Sequence, residues 1–203
     1  MYLVGLTGGI AAGKSTLAQR WVENGAVEID ADSLAREVVA PGTTGEEQIR
    51  KVFGESVFSE DGSLNRKALA AVVFHDSAKR TLLEQIIHPL VRKRADELLA
   101  QFAKNSIVIY NVPLLVEASV HMPFDKIVTV EAPEEVQIAR LIEHRGMTRT
   151  EALSRIHVQA TPAQRAAKAD IIVSTDKPID ELKADADLLW LELKREALAK
   201  RNA

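Results

Sequence analysis

The chain has 203 residues, 46% hydrophobic and 27% charged, a balance that excludes wholesale disorder and leaves room for one domain with a substantial insertion. The absence of cysteine excludes disulfides, thiolate metal sites and a cysteine nucleophile, and fits a reducing, cytoplasmic setting. A net charge of −3 with 4% aromatic residues argues against a nucleic-acid partner, and the longest apolar run, Ala68 to Phe74, is far too short to span a membrane.

Strands and helices alternate from the first residues, the pattern of a parallel sheet covered on both faces. Tyr2 to Thr7 predicts a buried strand that breaks at Gly8-Gly9. Leu3 to Ala12 has the look of a signal-peptide core, but no positive charge precedes Lys14 and the run is rich in glycine, so a targeting peptide is not expected. Lys14 to Glu23 predicts a helix with Leu17 and Trp21 four apart, ended by Gly25. Ala26 to Ile29 predicts a second strand, running into Asp30-Ala31-Asp32. Further strands are predicted at Ser106–Tyr110, Lys126–Val130 and Asp170–Val173. The long gap between the second and third strands exceeds what one crossover needs and must hold helices of its own. Leu64–Phe74 and Ala78–Ile87 read as two of them. Pro89 ends the second, and a separate helix follows through Val91, Ala95, Leu98 and Phe102. Helices at Pro133–His144 and Thr148–Gln159 precede the fifth strand. The last helix repeats Ile179, Leu182, Ala186, Leu189 and Leu193 at offsets of three and four, the face of a single core-facing helix, with a short coiled-coil seam as the alternative. The map that results has a core at about 1–34, 105–139 and 169–203, a helical insertion at about 35–104 and a lid at about 140–168.

Gly8-Gly9-Ile10-Ala11-Ala12-Gly13-Lys14-Ser15-Thr16 has the spacing of a phosphate-binding loop, two glycines bracketing four residues before Lys-Ser, between a strand and a helix. Glycines let backbone N–H groups turn onto phosphate oxygens, and the following helix points its positive end at the same anion. Gly9, Ile10, Ala11, Ala12, Gly13, Lys14, Ser15 and Thr16 are therefore the nucleotide-binding candidates. Lys14 is placed on the β- and γ-phosphates of a nucleoside triphosphate and the Ser15 hydroxyl on Mg²⁺.

Ligands of open parallel sheets sit beyond the carboxyl ends of the strands. Asp30 and Asp32 leave the second strand at that edge. One of the pair is expected to accept the proton of an attacking hydroxyl or hold Mg²⁺, and the other to cap a helix beginning near Ser33. Strand alternation favours Asp32 as the base. Asn111 ends the third strand where many related ATPases place an acidic metal-holding residue, so it supplies no charge there. Glu117 reads equally as a substrate contact and as a surface carboxylate. Arg140, Arg145, Arg149, Arg155 and Arg165 cluster after the fourth strand around Gly146, the composition of a lid over phosphates, although interspersed glutamates also suit a solvated face. His88 and Arg92 are expected to bracket a turn, with Arg92 a candidate contact for an acceptor phosphate.

These segments together resemble the dephospho-coenzyme A kinase family along nearly the whole chain. The resemblance rests on Gly5-Leu6-Thr7-Gly8-Gly9-Ile10 into Gly13-Lys14-Ser15, Asp30-Ala31-Asp32 with Ala35-Arg36, His88-Pro89 with Arg92, Val112-Pro113-Leu114-Leu115 with Glu117, and Gln159 ahead of Ala169-Asp170. It implies an α/β nucleotide-kinase-like parallel sheet with helices on both faces, a helical substrate-binding insertion and a lid. It implies transfer of the γ-phosphate of ATP to the ribose 3′-hydroxyl of dephospho-coenzyme A, the last step of coenzyme A synthesis. It also implies Asp32 as base, Lys14 and Arg140 as phosphate contacts, and His88, Arg92, Leu115 and Glu117 on the acceptor side. The expected partners are small molecules only, with the chain a monomer or weak homo-oligomer. Two departures stand out. Ala11-Ala12 replaces the family's Gly and small residue, which suits the loop only if φ of Ala11 is negative. Ser174-Thr175-Asp176 stands where the family tends to have Asn near Gly, a change that touches adenine recognition. The rival readings are another small-molecule kinase of this architecture and a nucleotide-gated switch. The Asn-Lys-x-Asp motif of a GTPase and the motifs of a protein kinase are absent from the sequence.

Overall fold

A computed structural model describes all residues except 75, 118, 119, 121 and 203. The elements run β1 Tyr2–Gly8, α1 Lys14–Glu23, β2 Val27–Asp30, α2 Ala31–Glu37, α3 Thr44–Phe53, a single 3₁₀ turn at Glu55–Val57, α4 Arg66–Phe74, α5 Ser77–Leu99, β3 Ile107–Asn111, β4 Lys126–Glu131, α6 Glu134–Arg145, α7 Arg149–His157, α8 Pro162–Ala166, β5 Ile171–Ser174 and α9 Ile179–Asn202. They divide into two compact units, Met1–Asp30 with Ala103–Ala203, and Ala31–Phe102.

The first unit is the α/β one. Its five strands are all parallel in the order β2-β3-β1-β4-β5. The chain passes from β1 outward to β2, returns through β3, then crosses to β4 on the other side, so the strand order reverses at β1. That reversal opens a crevice at the carboxyl end of β1, the usual ligand position in such sheets. Every residue of β1 is buried, as a strand covered on both faces requires. On one face Val4 and Leu6 pack with Leu17 and Trp21 of α1 and Leu189 and Leu193 of α9. On the other, a Cβ on Gly5 would press on Phe124 and Leu115 at 3.1–3.2 Å. The α9 periodicity is that of a core-facing helix: Leu182, Ala186, Leu189 and Leu193 are buried within this unit, and a coiled-coil seam is not needed to cover them.

The second unit is built from α2 to α5. Val39, Ile49, Val57 and Leu69 form its buried centre, with Leu83, Ile86 and Ile87 of α5 packed against them. Thr43 caps α3 by accepting from the Glu46 N–H at 3.2 Å, and Glu46, nearly fully buried, accepts from Gly42 N–H and Arg50. Thr43-x-x-Glu46 is the sequence signal from which α3 could have been predicted. The break expected at Pro89 does not occur, and α5 runs unbroken through it for 23 residues. Pro89 takes the intrahelical donor from the Gln85 carbonyl, and both residues are exposed, so the lost bond falls on the solvent side of the helix rather than in the core. Leu83, Ile86 and Ile87 before the proline and Ala95 after it are partly or fully buried, and that packing holds the two halves in one helix. The signal for α8, only five residues long, is likewise a capping box, Thr161-x-x-Gln164, with Pro162 in its first turn.

α1 matters most for the site, because it begins at Lys14. Leu17 and Trp21 are fully buried, the Trp21 indole donates to the Ala186 carbonyl at 3.0 Å, and Arg20 makes a two-pronged bond to Asp187 at 2.7 and 2.8 Å. Burial of the two apolar side chains supplies the energy, while the half-exposed ion pair fixes the rotation of α1 on α9. Hydrogen bonds from Arg20 and then Asn24 hold the Asp187 carboxyl below its ordinary value of 3.8. A depressed carboxylate contributes stability above its unfolded pKa and loses it as pH falls through the folded one. The difference in urea midpoint between the wild type and Asp187→Asn should therefore be present at pH 7 and close below about pH 4. A difference that stays constant into acid would show that the carboxylate charge contributes nothing.

Candidate active site

The β1–α1 loop has the shape its glycines predict. Gly8 sits so close to β4 that a Cβ there would overlap the Val130 carbonyl oxygen. Gly13 caps α1 at φ 94°, a left-handed conformation, and a Cβ on it would meet Thr175 Cγ2 at 3.3 Å. No side chain caps the start of α1, so its first N–H groups remain available to an anion. The expectation for Ala11 is overturned: its φ is +56°, the one non-glycine residue with positive φ among the described residues. Alanine carries the smallest Cβ substituent of any chiral residue, and this strain of about 1–2 kcal/mol is held in place by contacts outside the loop. The Ala11 carbonyl accepts from Arg140 Nη1 at 3.1 Å, and Ile10 and Ala11 pack against Ile138, Leu141 and Ala152.

Arg140, expected on phosphate, lies in α6 and directs its guanidinium to backbone. Besides Ala11, Nη1 reaches Thr175 Oγ1 at 3.0 Å and Nη2 the Thr175 carbonyl at 2.9 Å. Thr175 is fully buried and its hydroxyl donates to the Ala12 carbonyl. In the Ser174-Thr175-Asp176 departure, Thr175 therefore holds the outer wall of the loop. Gln159 Oε1 accepts the Ile10 N–H at 2.7 Å, which ties the segment after α7 to the loop. Gly9 lies under Gln137 and Arg165, and a Cβ there would overlap Gln137 Nε2.

Lys14 donates to Asn111 Oδ1 at the end of β3, and Asn111 Nδ2 donates to Glu28 Oε1 at 2.6 Å. Asn111 is 4% exposed, and Glu28 is an exposed residue of edge strand β2. Ser15 is exposed, and its hydroxyl makes no hydrogen bond among the described residues. A hard oxygen at the start of the helix beside Lys14 fits Mg²⁺, which keeps several waters and takes only one or two protein oxygens. No group of three His, Asp or Glu side chains that could hold a metal ion occurs among the described residues.

Asp30 is the last residue of β2, in register with Asn111, and α2 begins immediately at Ala31, two residues before the expected start. Asp32 is an exposed first-turn residue of α2. His88 and Arg92 do not bracket a turn. They lie one helical turn apart on α5, both exposed, and Arg92 contacts Asp96 at 3.3 Å. Leu115 is buried at 5% exposure beneath Gly5 and works as a packing side chain, whereas Leu114 beside it is 45% exposed. Glu117 is engaged within the protein, accepting the Ala160 N–H at 2.7 Å.

The arginines after β4 divide into two groups. Arg165 is 4% exposed and forms a two-pronged bond to Glu131 at 2.6 Å, and Arg149 pairs with Glu135 at 2.6 and 2.8 Å. Arg145 and Arg155 are exposed and make no hydrogen bond or ion pair among the described residues. Thr175, Gln137, Glu131 and Glu28 are not among the site residues that the sequence predicts. Each is brought to the site from far away in sequence, and only Gln159 of the supporting set lies in a recognisable motif.

The dephospho-CoA kinase family model matches residues 2–181. A dephospho-CoA kinase of Streptomyces avermitilis is 46% identical over 193 residues, covering 95% of this chain and 94% of its own length. The crystal structure of TT1252 from Thermus thermophilus is 30% identical with a TM-score of 0.82, covering 95% of this chain and 97% of that one. A dephospho-CoA kinase from Campylobacter jejuni shares the fold at a TM-score of 0.64 and 21% identity, covering 94% and 96%.

The Arg140 contacts predict a loop that depends on a planar fork of donors. Arg140→Lys keeps the charge but cannot span Ala11 and Thr175 together. ATP affinity, measured by calorimetric titration, should fall about tenfold, equivalent to about 1.4 kcal/mol. Unchanged affinity would show that the loop keeps its conformation without the clamp.

Proposed function

The chain belongs to the dephospho-CoA kinase family, and from that membership together with the loop geometry we propose how its residues perform the reaction. ATP phosphorylates the ribose 3′-hydroxyl of dephospho-coenzyme A, giving coenzyme A and ADP, the final step of coenzyme A biosynthesis. The observation that carries the assignment is the match of the family model across residues 2–181, the phosphate loop included. Membership also decides against the nucleotide-gated switch and against other small-molecule kinases of this architecture.

Phosphoryl transfer passes through a loose transition state, so catalysis is chiefly positioning and charge stabilisation. Backbone N–H groups of loop residues 9–13, that of Ile10 excepted because Gln159 holds it, and of the first turn of α1 take the β- and γ-phosphates, and Lys14 and Thr16 complete the cradle. Mg²⁺, held by the Ser15 hydroxyl, would neutralise charge on the β- and γ-phosphate oxygens when bound. Arg140 acts on the phosphates through the loop it clamps. Asp32 is the base: it orients the ribose hydroxyl and takes its proton as the new P–O bond forms, and Asp30 is the alternative for that role. His88 and Arg92 take the acceptor's anionic groups, and Glu117 with Leu115 shapes the acceptor side by fixing Ala160 and packing under β1. Residues at about 140–168 act as the lid, anchored at Arg140 and Arg165, with Arg145 and Arg155 as the cations that meet phosphate. No helix among the described residues is long and apolar enough to cross a membrane, and we place the enzyme in the cytoplasm as a monomer or weak homo-oligomer acting on small molecules alone.

Phosphoryl transfer measured with dephospho-coenzyme A, with nucleoside monophosphates and with no acceptor should show turnover only with the first. Lys14→Ala should abolish nearly all of it, because the lysine meets charge that develops at the β–γ bridge. Asp32→Asn should leave ATP affinity intact and lower kcat by about 10²- to 10⁴-fold. Partial recovery with excess Mg²⁺ would identify Asp32 as a metal ligand. An unchanged kcat would remove it from the mechanism in favour of Asp30.

A further inference from the structure

The chain of contacts from Glu28 through Asn111 to Lys14 joins residues of β2, β3 and α1 within the α/β unit. An ammonium group only donates and a carboxylate only accepts. Between them, the Asn111 amide has one orientation that satisfies both ends: Oδ1 toward Lys14, Nδ2 toward Glu28. Asn111 is 4% exposed, so neither end of its amide can exchange its partner for water at low cost. Glu28 lies two residues before Asp30 on the same face of β2, and Asp30 is the residue in register with Asn111, so the carboxylate reaches Asn111 diagonally across the strand pair. The negative charge at this strand end therefore stands on β2, one hydrogen-bonding side chain removed from the lysine, and the neutral amide on β3 transmits its orientation.

We propose that Glu28 is a positioning residue for phosphoryl transfer, which fixes the Asn111 amide so that its carbonyl oxygen holds Lys14 in line with the phosphates. The inference rests on the reading of Lys14 as a phosphate-contacting residue. Glu28 touches no reacting atom. Its effect passes through Asn111 to the place at which the lysine ammonium waits, and misplacement of a charge that acts in the transition state lowers kcat more than it weakens ground-state binding.

A charge-relocation cycle tests this. In Glu28→Gln an amide faces an amide, both orientations of Asn111 become equivalent at that end, and kcat should fall about three- to tenfold with KM for ATP changed less than about twofold. Asn111→Asp alone brings two carboxylates to the distance now spanned by a hydrogen bond, and kcat should fall at least as far. In the double variant, Glu28→Gln with Asn111→Asp, the charge moves one residue inward: the amide introduced on β2 donates, and the carboxylate introduced on β3 accepts from both neighbours. Its kcat should return to within about threefold of the wild type. Thermal midpoints of all three should be measured, since a merely structural role would move stability and kcat together without rescue. Glu28→Gln at wild-type kcat, or a double variant whose loss is the product of the two single losses, would overturn the proposal. Lys14→Ala in the same assay separates the two readings: if it retains turnover the role of Lys14 itself fails, whereas its loss beside a silent Glu28→Gln rejects only the role of Glu28.

Discussion

A phosphate-binding loop must keep its inner surface lined by N–H groups, so nothing on the inside can hold it in shape. The loop between Gly8 and Lys14 meets this constraint from outside. Arg140 and Thr175 take the carbonyls of Ala11 and Ala12, Gln159 takes the outward N–H of Ile10, and Gly8 and Gly9 allow β4, Gln137 and Arg165 to press close. The left-handed Ala11 follows from the same arrangement. Its backbone is held by its neighbours more firmly than its own preference opposes, and a short methyl side chain keeps the cost small.

The outer brace has its own foundation. Glu131, at the carboxyl end of β4, receives Arg165 in a nearly buried two-pronged pair and the Thr129 hydroxyl at 2.7 Å. Two buried charges of this kind persist only when each is fully paired, so Arg165 is committed to the sheet. Glu117 then fixes Ala160, the residue beside Gln159. Capping boxes at Thr148–Glu151 and Thr161–Gln164 start α7 and α8 on either side of this anchored stretch. The segment is thus tied down near Gln159 and Arg165, and the two arginines outside its ion pairs lie elsewhere, at Arg145 and Arg155.

The helical unit obeys a different rule. It contains no sheet strand of its own among the described residues, and its centre is closed by α3, α4 and α5 around Ile49, Val57 and Leu69. Its buried carboxylate, Glu46, is satisfied by the Gly42 N–H and by Arg50, whose guanidinium also lies 3.8 Å over the Phe58 ring. Gly45 lets α3 approach the Val38 carbonyl and Leu90 of α5, where any Cβ would collide. With α3 so close, α5 gains more by staying continuous through Pro89 than it loses in one backbone hydrogen bond.

Local sequence determined the strands to within a residue at each end, because short apolar runs bounded by Gly, Pro or Asp have little freedom to be anything else in a buried parallel sheet. It determined the phosphate loop, whose chemistry is written in consecutive residues, and the start and stop of α1. It read Pro89 as a break because the cost of proline in a helix is local, while the packing that outweighs it comes from α2, α3 and α4. It grouped Arg140 and Arg165 with the arginines of a phosphate lid because a guanidinium looks the same in sequence whether it faces an anion, a carboxylate or a carbonyl. Only the tertiary structure decided that Arg140 holds Ala11 and Thr175, that Arg165 is buried on Glu131, and that Glu28 faces Asn111. Those pairings join residues some 34 to 129 positions apart, and no pattern of local spacing encodes a contact that exists only once the sheet has brought its strand ends together.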